Sequence, residues 1–421
     1  MNYQLYAPKI CNICTKLSLV RVLYLCYNMK RNKLPTYGIS TGICFIKLKA
    51  RFFMKRTNIR RAALSLLLAA TLLCSGCAAV AAPAPAATAA PASGVWQRFN
   101  RTDLSAFDTV ITLVGFAPDQ AAFDRAADRA FEKIQALDHI FDGYNAYDDL
   151  HNLYYVNRHA AQEPVEIPED LFRLLSWCKE QWAAGRRETN VAMGAVLSIW
   201  HEYRTAGTQH PEQAKLPPVE ELTAASKHIN FDDVVLDAEK QTVFFSDPDL
   251  ALDIGAVAKG YAADAVAGLL YEDMPSFLLS LGGNVYAGNA PLDGRANWAV
   301  GVQNPDVTES GTKDILDVHD KTVVTSGDYW RYYTVDGQRY HHIIDPETLM
   351  PSRKMVSVTI LCESSILADF LSTALFVLPY EEGRAVADGL DGVEVMWILP
   401  DGTVQATDGM KDYARSMKNP S

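Results

Sequence analysis

Between positions 78 and 92 the chain is almost entirely Ala and Pro. Such a stretch buries no core and favours an extended, semi-stiff conformation, so it divides the chain into a segment before it and a segment after it. From about Trp96 to Ser421 the composition becomes that of a folded protein, and no later Pro/Gly/Ser-rich stretch is long enough to separate a second domain from the first. Apolar residues make up 49% of the sequence, which lets one large domain over 96–421 bury a sizeable core.

The segment before is basic. Residues 1–53 hold nine Lys/Arg and no Asp/Glu, and residues 54–76 add four more basic residues and no acid. Setting those thirteen positive charges aside from the total of −11 leaves −24 from Cys77 onward. So acidic a body repels polyanions, which argues against nucleic acid as a partner and suits a bound divalent cation. From Met54, the basic residues Lys55, Arg56, Arg60 and Arg61 precede the apolar run Ala62 to Leu73, which closes on Cys74-Ser75-Gly76-Cys77. That is the order of a secretory signal, too short for a stable membrane span. A Cys after small residues resembles a bacterial lipobox, although Cys74 stands where Leu is more usual. The resemblance implies that Cys77 is the lipidated first residue of a mature protein held at the cell membrane, facing the extracytoplasmic side. An uncleaved signal anchor is the alternative. Residues 77–95 are then a tether, and residues 1–53 read as an upstream extension or a misassigned start. Four of the eight Cys lie in 1–53, and after signal removal only Cys77, Cys178 and Cys362 remain, which leaves at most one disulfide.

Within 96–421, Phe123, Ala127, Ala130, Ile134, Leu137 and Phe141 recur at spacings of four and three, one apolar stripe on a long helix. Pro168 opens a second helix through Leu171, Leu174, Leu175 and Trp182, and Val257, Tyr261, Val266 and Leu270 mark a third. Strands are expected at 109–114, 234–236, 243–245, 277–281, 298–302, 323–325, 340–344, 356–361 and 393–399. Helices and strands alternate irregularly, with hairpin-like pairs, which is an α+β pattern rather than a regular βαβ array.

Four segments carry chemistry. Asp253-Ile-Gly-Ala-Val-Ala-Lys259-Gly260-Tyr261 opens a helix, where free N–H groups, the dipole and Lys259 favour a phosphate; close packing of its Ala and Gly residues explains the same pattern. Ser280-Leu-Gly282-Gly283-Asn284 ends an apolar strand, as a site of close backbone approach to a ligand or as a plain turn. Thr325-Ser-Gly-Asp328-Tyr-Trp-Arg331 is followed by Arg339-Tyr340-His341-His342-Ile343-Ile344-Asp345-Pro346. Strand alternation sends one His to the core and the other to the cleft, so at most one does chemistry. Last, on the helix of Leu367, Leu371, Ala374 and Leu375, Asp369 and Thr373 stand four apart. They share a face and can offer oxygens to one hard cation, although a solvated helix Asp accounts for the pattern too.

In this order the segments resemble the ApbE family of FAD:protein FMN transferases, over nearly all of residues 105–400. The resemblance implies FAD contacts from Asp253 and Lys259, a metal bound through Ala256, Asp369 and Thr373, a reactive His342, and flavin packing at Ile343. More weakly, Phe141-Asp-Gly-Tyr144-Asn145 resembles the segment of the family's flavin-contacting Tyr, and Phe107-Asp-Thr109 stands near its Met-Gly-Thr. Asn190-Val-Ala-Met-Gly194 departs from the family's Asp-x-Thr-x-Gly, which leaves the flavin contact of Asn190 open. Leu349 replaces the Gly that commonly follows Asp-Pro-x-Thr and implies a different turn, because Leu disfavours left-handed backbone.

The activity implied is Mg2+-dependent transfer of the FMN half of FAD to a Ser or Thr hydroxyl of an acceptor protein, with release of AMP. The acceptors implied are FMN-carrying subunits of membrane electron-transfer complexes. A Mg2+-dependent FAD pyrophosphatase and a non-catalytic flavin-binding lipoprotein are the competing readings.

Overall fold

The computed structural model describes residues 96–306 and 311–418. The expected signal, the tether and Cys77 lie outside the described residues. In chain order, β1 (Gln97–Asp103) and β2 (Ile111–Ala117) lead into the long helix α1 (Gln120–Phe141), then α2 (Leu153–His159), β3 (Val165–Glu166), α3 (Glu169–Ala183) and α4 (Gly194–Gln209). There follow α5 (Val219–Ala225), β4 (Val234–Asp237), β5 (Thr242–Phe245), α6 (Ala258–Asp273), β6 (Phe277–Leu281), β7 (Asn284–Ala287), β8 (Trp298–Gln303) and β9 (Thr312–Val318). The last stretch is β10 (Lys321–Gly327), β11 (Tyr332–Val335), β12 (Gln338–His341), β13 (Ser357–Cys362), α7 (Ser365–Val377), α8 (Tyr380–Asp388), β14 (Glu394–Ile398), β15 (Val404–Ala406) and α9 (Arg415–Lys418).

Eight of the strands form one sheet in the order β1-β2-β6-β7-β10-β13-β14-β15, and the pairings that build it are antiparallel. Every residue of β13 is buried, as a strand covered on both faces requires. The main core joins one face of the sheet to α1, α3, α6 and α7. A second cluster seats Trp298, Val300, Val302, Leu316 and Val318 of the β8–β9 hairpin on Phe116, Val323, Leu361 and Met396. A third gathers Val196 and Trp200 of α4 with Tyr333 of β11 and Ile344. The architecture is α+β, as the irregular element order implies.

Most expected elements are present, and the departures have local causes. The strand expected from Thr109 begins at Ile111, because Phe107 and Asp108 take left-handed φ of 53° and 49° and make a turn first. The strand expected over Tyr340–Ile344 ends at His341, where Tyr332 pairs with it and the hairpin stops. In α7 nearly every residue is buried, Asp369 and Ser372 among them, so the helix runs through the core instead of exposing a polar side. Cys178 and Cys362 are both buried and unpaired. Among the described residues no helix is long and apolar enough to cross a membrane.

Leu349 overturns the different turn expected after Thr348. It adopts φ 60° itself, at a cost of about 1 kcal/mol for a non-Gly residue. Its N–H donates to the Asp345 carbonyl at 2.8 Å, and its carbonyl accepts the Trp200 indole N–H at 2.9 Å. Those bonds and apolar packing beside Trp200 hold the strained residue in place.

Candidate active site

The site is anchored where α6 meets α7. A Cβ on Gly260 would come within 2.4 Å of the Ser365 carbonyl oxygen and 2.8 Å of Asp369 Cβ, so only Gly lets these backbones approach so closely. The close-packing reading of the helix start is the one seen, and its Gly260 N–H is engaged within the protein. The taker is Asp369, whose Oδ2 accepts the Gly260 N–H at 2.9 Å. Lys259 Nζ stands 3.5 Å from each Asp369 oxygen. One turn further along α6, Asp264 caps α7 by accepting the N–H groups of Ser365 and Ile366.

The loop before α6 is strung along residues 190–194. Asp253 N–H donates to the Val191 carbonyl, and Gly194 N–H to that of Ala251. Asn157 brackets the neighbouring Leu252, donating to its carbonyl at 2.9 Å and accepting its N–H at 2.8 Å. Asn190 has its amide engaged within the protein: Nδ2 donates to the Ile229 carbonyl and Oδ1 accepts the Ala192 N–H. His228 next to Ile229 is tied to Asp247 at 2.9 Å; with Asp249 these form the one His/carboxylate cluster among the described residues close enough to hold an ion.

His341 and His342 separate as alternation implies. His341 is buried; its Nε2–H donates to the Ser352 carbonyl at 2.7 Å and its Nδ1 accepts the Ile343 N–H at 3.2 Å. This fixes Ile343, itself buried, beside His342. His342 is half-buried, and its Nδ1 is shut away without a hydrogen-bond partner among the described residues. Burial, and then the charges of Arg331, Arg204 and Lys259, hold it well below the usual histidine range, so the ring is neutral near pH 7. The loop is clamped to the C-terminal end of α7. Ser352 Oγ donates to the Phe376 carbonyl, while Lys354 Nζ donates to the Val377 carbonyl at 2.6 Å and pairs with Asp345 at 2.9 Å. These donors satisfy carbonyls that a helix end leaves open and tie His342 to the helix of Asp369 and Thr373.

Tyr144 sits on a turn organised by Asp142, which accepts the N–H groups of Tyr144 and Asn145. Its ring stacks on His201 of α4, centroids 4.6 Å apart, and Arg204 donates to His201 Nδ1 at 3.1 Å. Tyr144 is exposed by surface area, and loss of water around its hydroxyl, followed by the charge of Asp253, pushes that hydroxyl up to about 12. Phe107 is half-buried against the main core, its N–H donating to Asp138 at 2.8 Å. The close approach expected at Gly282 is made by a neighbouring side chain. A Cβ there would lie 1.7 Å from Thr109 Oγ1, and Gly282-Gly283 is the turn of the β6–β7 hairpin.

Reading the sequence missed His201 and Arg204 because it missed α4. The signal was thin: Val196, Trp200 and Gly207 are buried at helical spacing, between Gly and Thr that weaken the pattern.

A hard divalent cation takes oxygen ligands. Among the described residues Asp369 Oδ1 has only the 3.5 Å approach of Lys259, Thr373 follows one turn along α7, and Ala256 ends the loop two residues before α6. A carboxylate, a hydroxyl and a carbonyl make an all-oxygen donor set that fits Mg2+.

The fold and the residues it gathers define an enzyme of the α+β class. Residues 107–397 match the model of the ApbE family. A solved ApbE protein from Thermotoga maritima superposes with a TM-score of 0.67 at 28% identity, covering 76% of this chain and 100% of that one. A Treponema pallidum protein named FAD:protein FMN transferase is 34% identical over 274 residues, 62% of this chain and 74% of the relative. One of the same name from Vibrio cholerae is 29% identical over 286 residues, 68% of this chain and 81% of the relative. The chain belongs to the ApbE family.

Proposed function

We propose that this chain transfers the FMN half of FAD to a Ser or Thr hydroxyl of an acceptor flavoprotein, with Mg2+ bound and AMP released. The observation that carries the reading is the position of Lys259, 3.5 Å from the Asp369 carboxylate where α6 packs on α7. A cationic group thus stands beside the carboxylate proposed to hold the metal, as neutralising the charge of a pyrophosphate needs.

Asp369, Thr373 and the Ala256 carbonyl would hold Mg2+, which when bound would neutralise charge on the pyrophosphate. Lys259 binds the phosphates from the start of α6, and Asp253 orients the nucleotide from the loop before it. Tyr144, Ile343 and Phe107 receive the flavin, with Asn190 shaping the neighbouring turn. A neutral imidazole nitrogen of His342 takes the proton from the acceptor hydroxyl. A bond forms between that oxygen and the FMN phosphorus, the bridging P–O bond breaks, and its electron pair leaves with AMP. Residues 54–76 direct export, Cys77 carries the lipid, and 77–95 tether the domain 96–421 to the membrane, where a subunit of an electron-transfer complex is the acceptor.

Incubating the protein with FAD, Mg2+ and a candidate acceptor tests this. FMN on the acceptor with an equal amount of AMP is the expected result. Free FMN with AMP identifies a pyrophosphatase instead, and unchanged FAD a binding protein.

A further inference from the structure

We infer that His201 is a positioning residue for the flavin: its imidazole is the platform that holds the exposed Tyr144 ring where the isoalloxazine is received. The role of Tyr144 rests on the flavin-transfer reading; the pairing of the two rings does not.

The turn that carries Tyr144 has a rigid backbone. Asp142 accepts the N–H groups of Tyr144 and Asn145, the Asn145 amide and the Tyr147 hydroxyl. Asn152 Nδ2 donates to the carbonyls of His139, Asp142 and Asn145. The side chain is another matter. Tyr144 is 57% exposed, and among the described residues its one ring contact is the stack on His201, centroids 4.6 Å apart and planes 29° from parallel. An exposed ring without such a contact changes rotamer in picoseconds to nanoseconds. His201 is therefore what fixes the ring on a backbone that is already fixed.

His201 is itself oriented. Arg204 follows three residues later on the same face of α4, and its Nη2 donates to His201 Nδ1 at 3.1 Å. A guanidinium has no acceptor, so Nδ1 keeps its lone pair and the ring proton sits on Nε2. Burial, then the charge of Arg204, keeps the imidazole below the usual histidine range against the opposing charge of Asp253, and a neutral ring stacks as an aromatic. The helix is tied both to the loop of Asp253 and to the segment of His342. Gly194 N–H at its start donates to the Ala251 carbonyl at 2.9 Å. Trp200, next to His201, donates its indole N–H to the Leu349 carbonyl at 2.9 Å. The Tyr144 ring thus takes its position from α4 as well as from its own turn.

The test is riboflavin titration of the full chain, followed by quenching of flavin fluorescence, for wild type, H201Q, H201F, Y144A and H201Q/Y144A. Riboflavin carries the isoalloxazine without a phosphate, so Lys259 and the metal do not enter. H201Q removes the ring and keeps an acceptor for Arg204; H201F keeps the ring and removes the acceptor. Riboflavin affinity is expected to fall roughly 3- to 10-fold in H201Q, as loss of an aromatic pair does, and to return to within about twofold of wild type in H201F. Quenching at saturation should weaken in H201Q and recover in H201F. On the Y144A background H201Q should add less than about twofold, because a residue acting through Tyr144 has nothing left to hold. Misfolding would lower affinity whatever stands at 144, so the double variant separates the two. Unchanged affinity and quenching in H201Q, a loss in H201F equal to that in H201Q, or a full H201Q effect on top of Y144A overturns the proposal. A wild type that binds no riboflavin overturns the proposal and the flavin-transfer reading together. One that shows the coupled loss yet transfers no FMN overturns the transferase reading alone.

Discussion

The buried His341 donates its Nε2–H to the Ser352 carbonyl at 2.7 Å, a bond that fixes its tautomer and closes the loop carrying His342. Burial drives His341 down to about 4, with Arg353 and Arg339 adding to the effect and the Ser352 bond opposing it. Between the ordinary histidine value near 6.5 and about 4, the unfolded chain binds a proton that the folded one refuses. The contribution of His341 is therefore complete above 6.5 and is lost as pH falls through that window, on the order of 3 kcal/mol in total. Denaturant unfolding at pH 7, 5.5 and 4.5 should show wild type losing stability toward acid more steeply than His341→Gln. Equal slopes for the two proteins would show that folding does not depress the His341 imidazole.

His342 has the opposite assignment. His342→Ala should keep FAD affinity, because the groups proposed to hold the phosphates and the metal lie on α6 and α7 and in the loop before α6, yet lose transfer by roughly a hundredfold or more, as removal of a general base does. His341→Gln should lose far less transfer, since the clamp through Lys354, Val377 and Asp345 remains. Single-turnover FMN transfer and FAD titration on both variants separate the roles. If His341→Gln abolishes transfer while His342→Ala keeps it, the base is His341.

The division between these two histidines was legible in the sequence, because alternation along a strand sends neighbours to opposite sides. Asp369 and Thr373 were legible as one helix face for a similar reason. Long-range order was not. The sheet places β2 beside β6 and β10 between β7 and β13, and such pairings depend on which faces fill which core. Arg204 and His201 were hidden because α4 buries only a narrow stripe. Leu349 shows the reverse error: a residue rule was right about cost and wrong about outcome, because Trp200 and Asp345 hold the strained backbone.

Membrane attachment is tested apart from chemistry. Protein produced from Met54 in a bacterium that processes lipoproteins should partition with membranes, and Cys77→Ser should release it, given the basic, apolar and small-residue order of 54–77. No described helix offers an alternative span. A Cys77→Ser variant that still sediments with membranes would refute the lipid anchor.

The contact between Gly260 and Asp369 yields a paired test inside one helix. Gly260 faces α7, where an added Cβ would meet Ser365 O at 2.4 Å and Ile366 Cα at 2.7 Å. Both are backbone atoms, so Gly260→Ala must push α6 from α7, at a cost of about 1–3 kcal/mol or more. Gly268, two turns on, has nothing within 4 Å of an added Cβ. Gly268→Ala should therefore stabilise by up to about 1 kcal/mol through helix propensity alone. Because Asp369 accepts the Gly260 N–H at 2.9 Å, parting the helices also moves the proposed metal ligand. Gly260→Ala should thus lower Tm and lose the further rise in Tm that Mg2+ gives wild type, and Asp369→Ala should lose that rise and metal-dependent turnover. Gly268→Ala should keep both. Thermal unfolding of the four proteins with and without Mg2+ decides the point: a Gly260→Ala protein as stable and as Mg2+-responsive as Gly268→Ala would mean that α6 and α7 are not packed backbone to backbone, and that Asp369 does not hold the metal from this position.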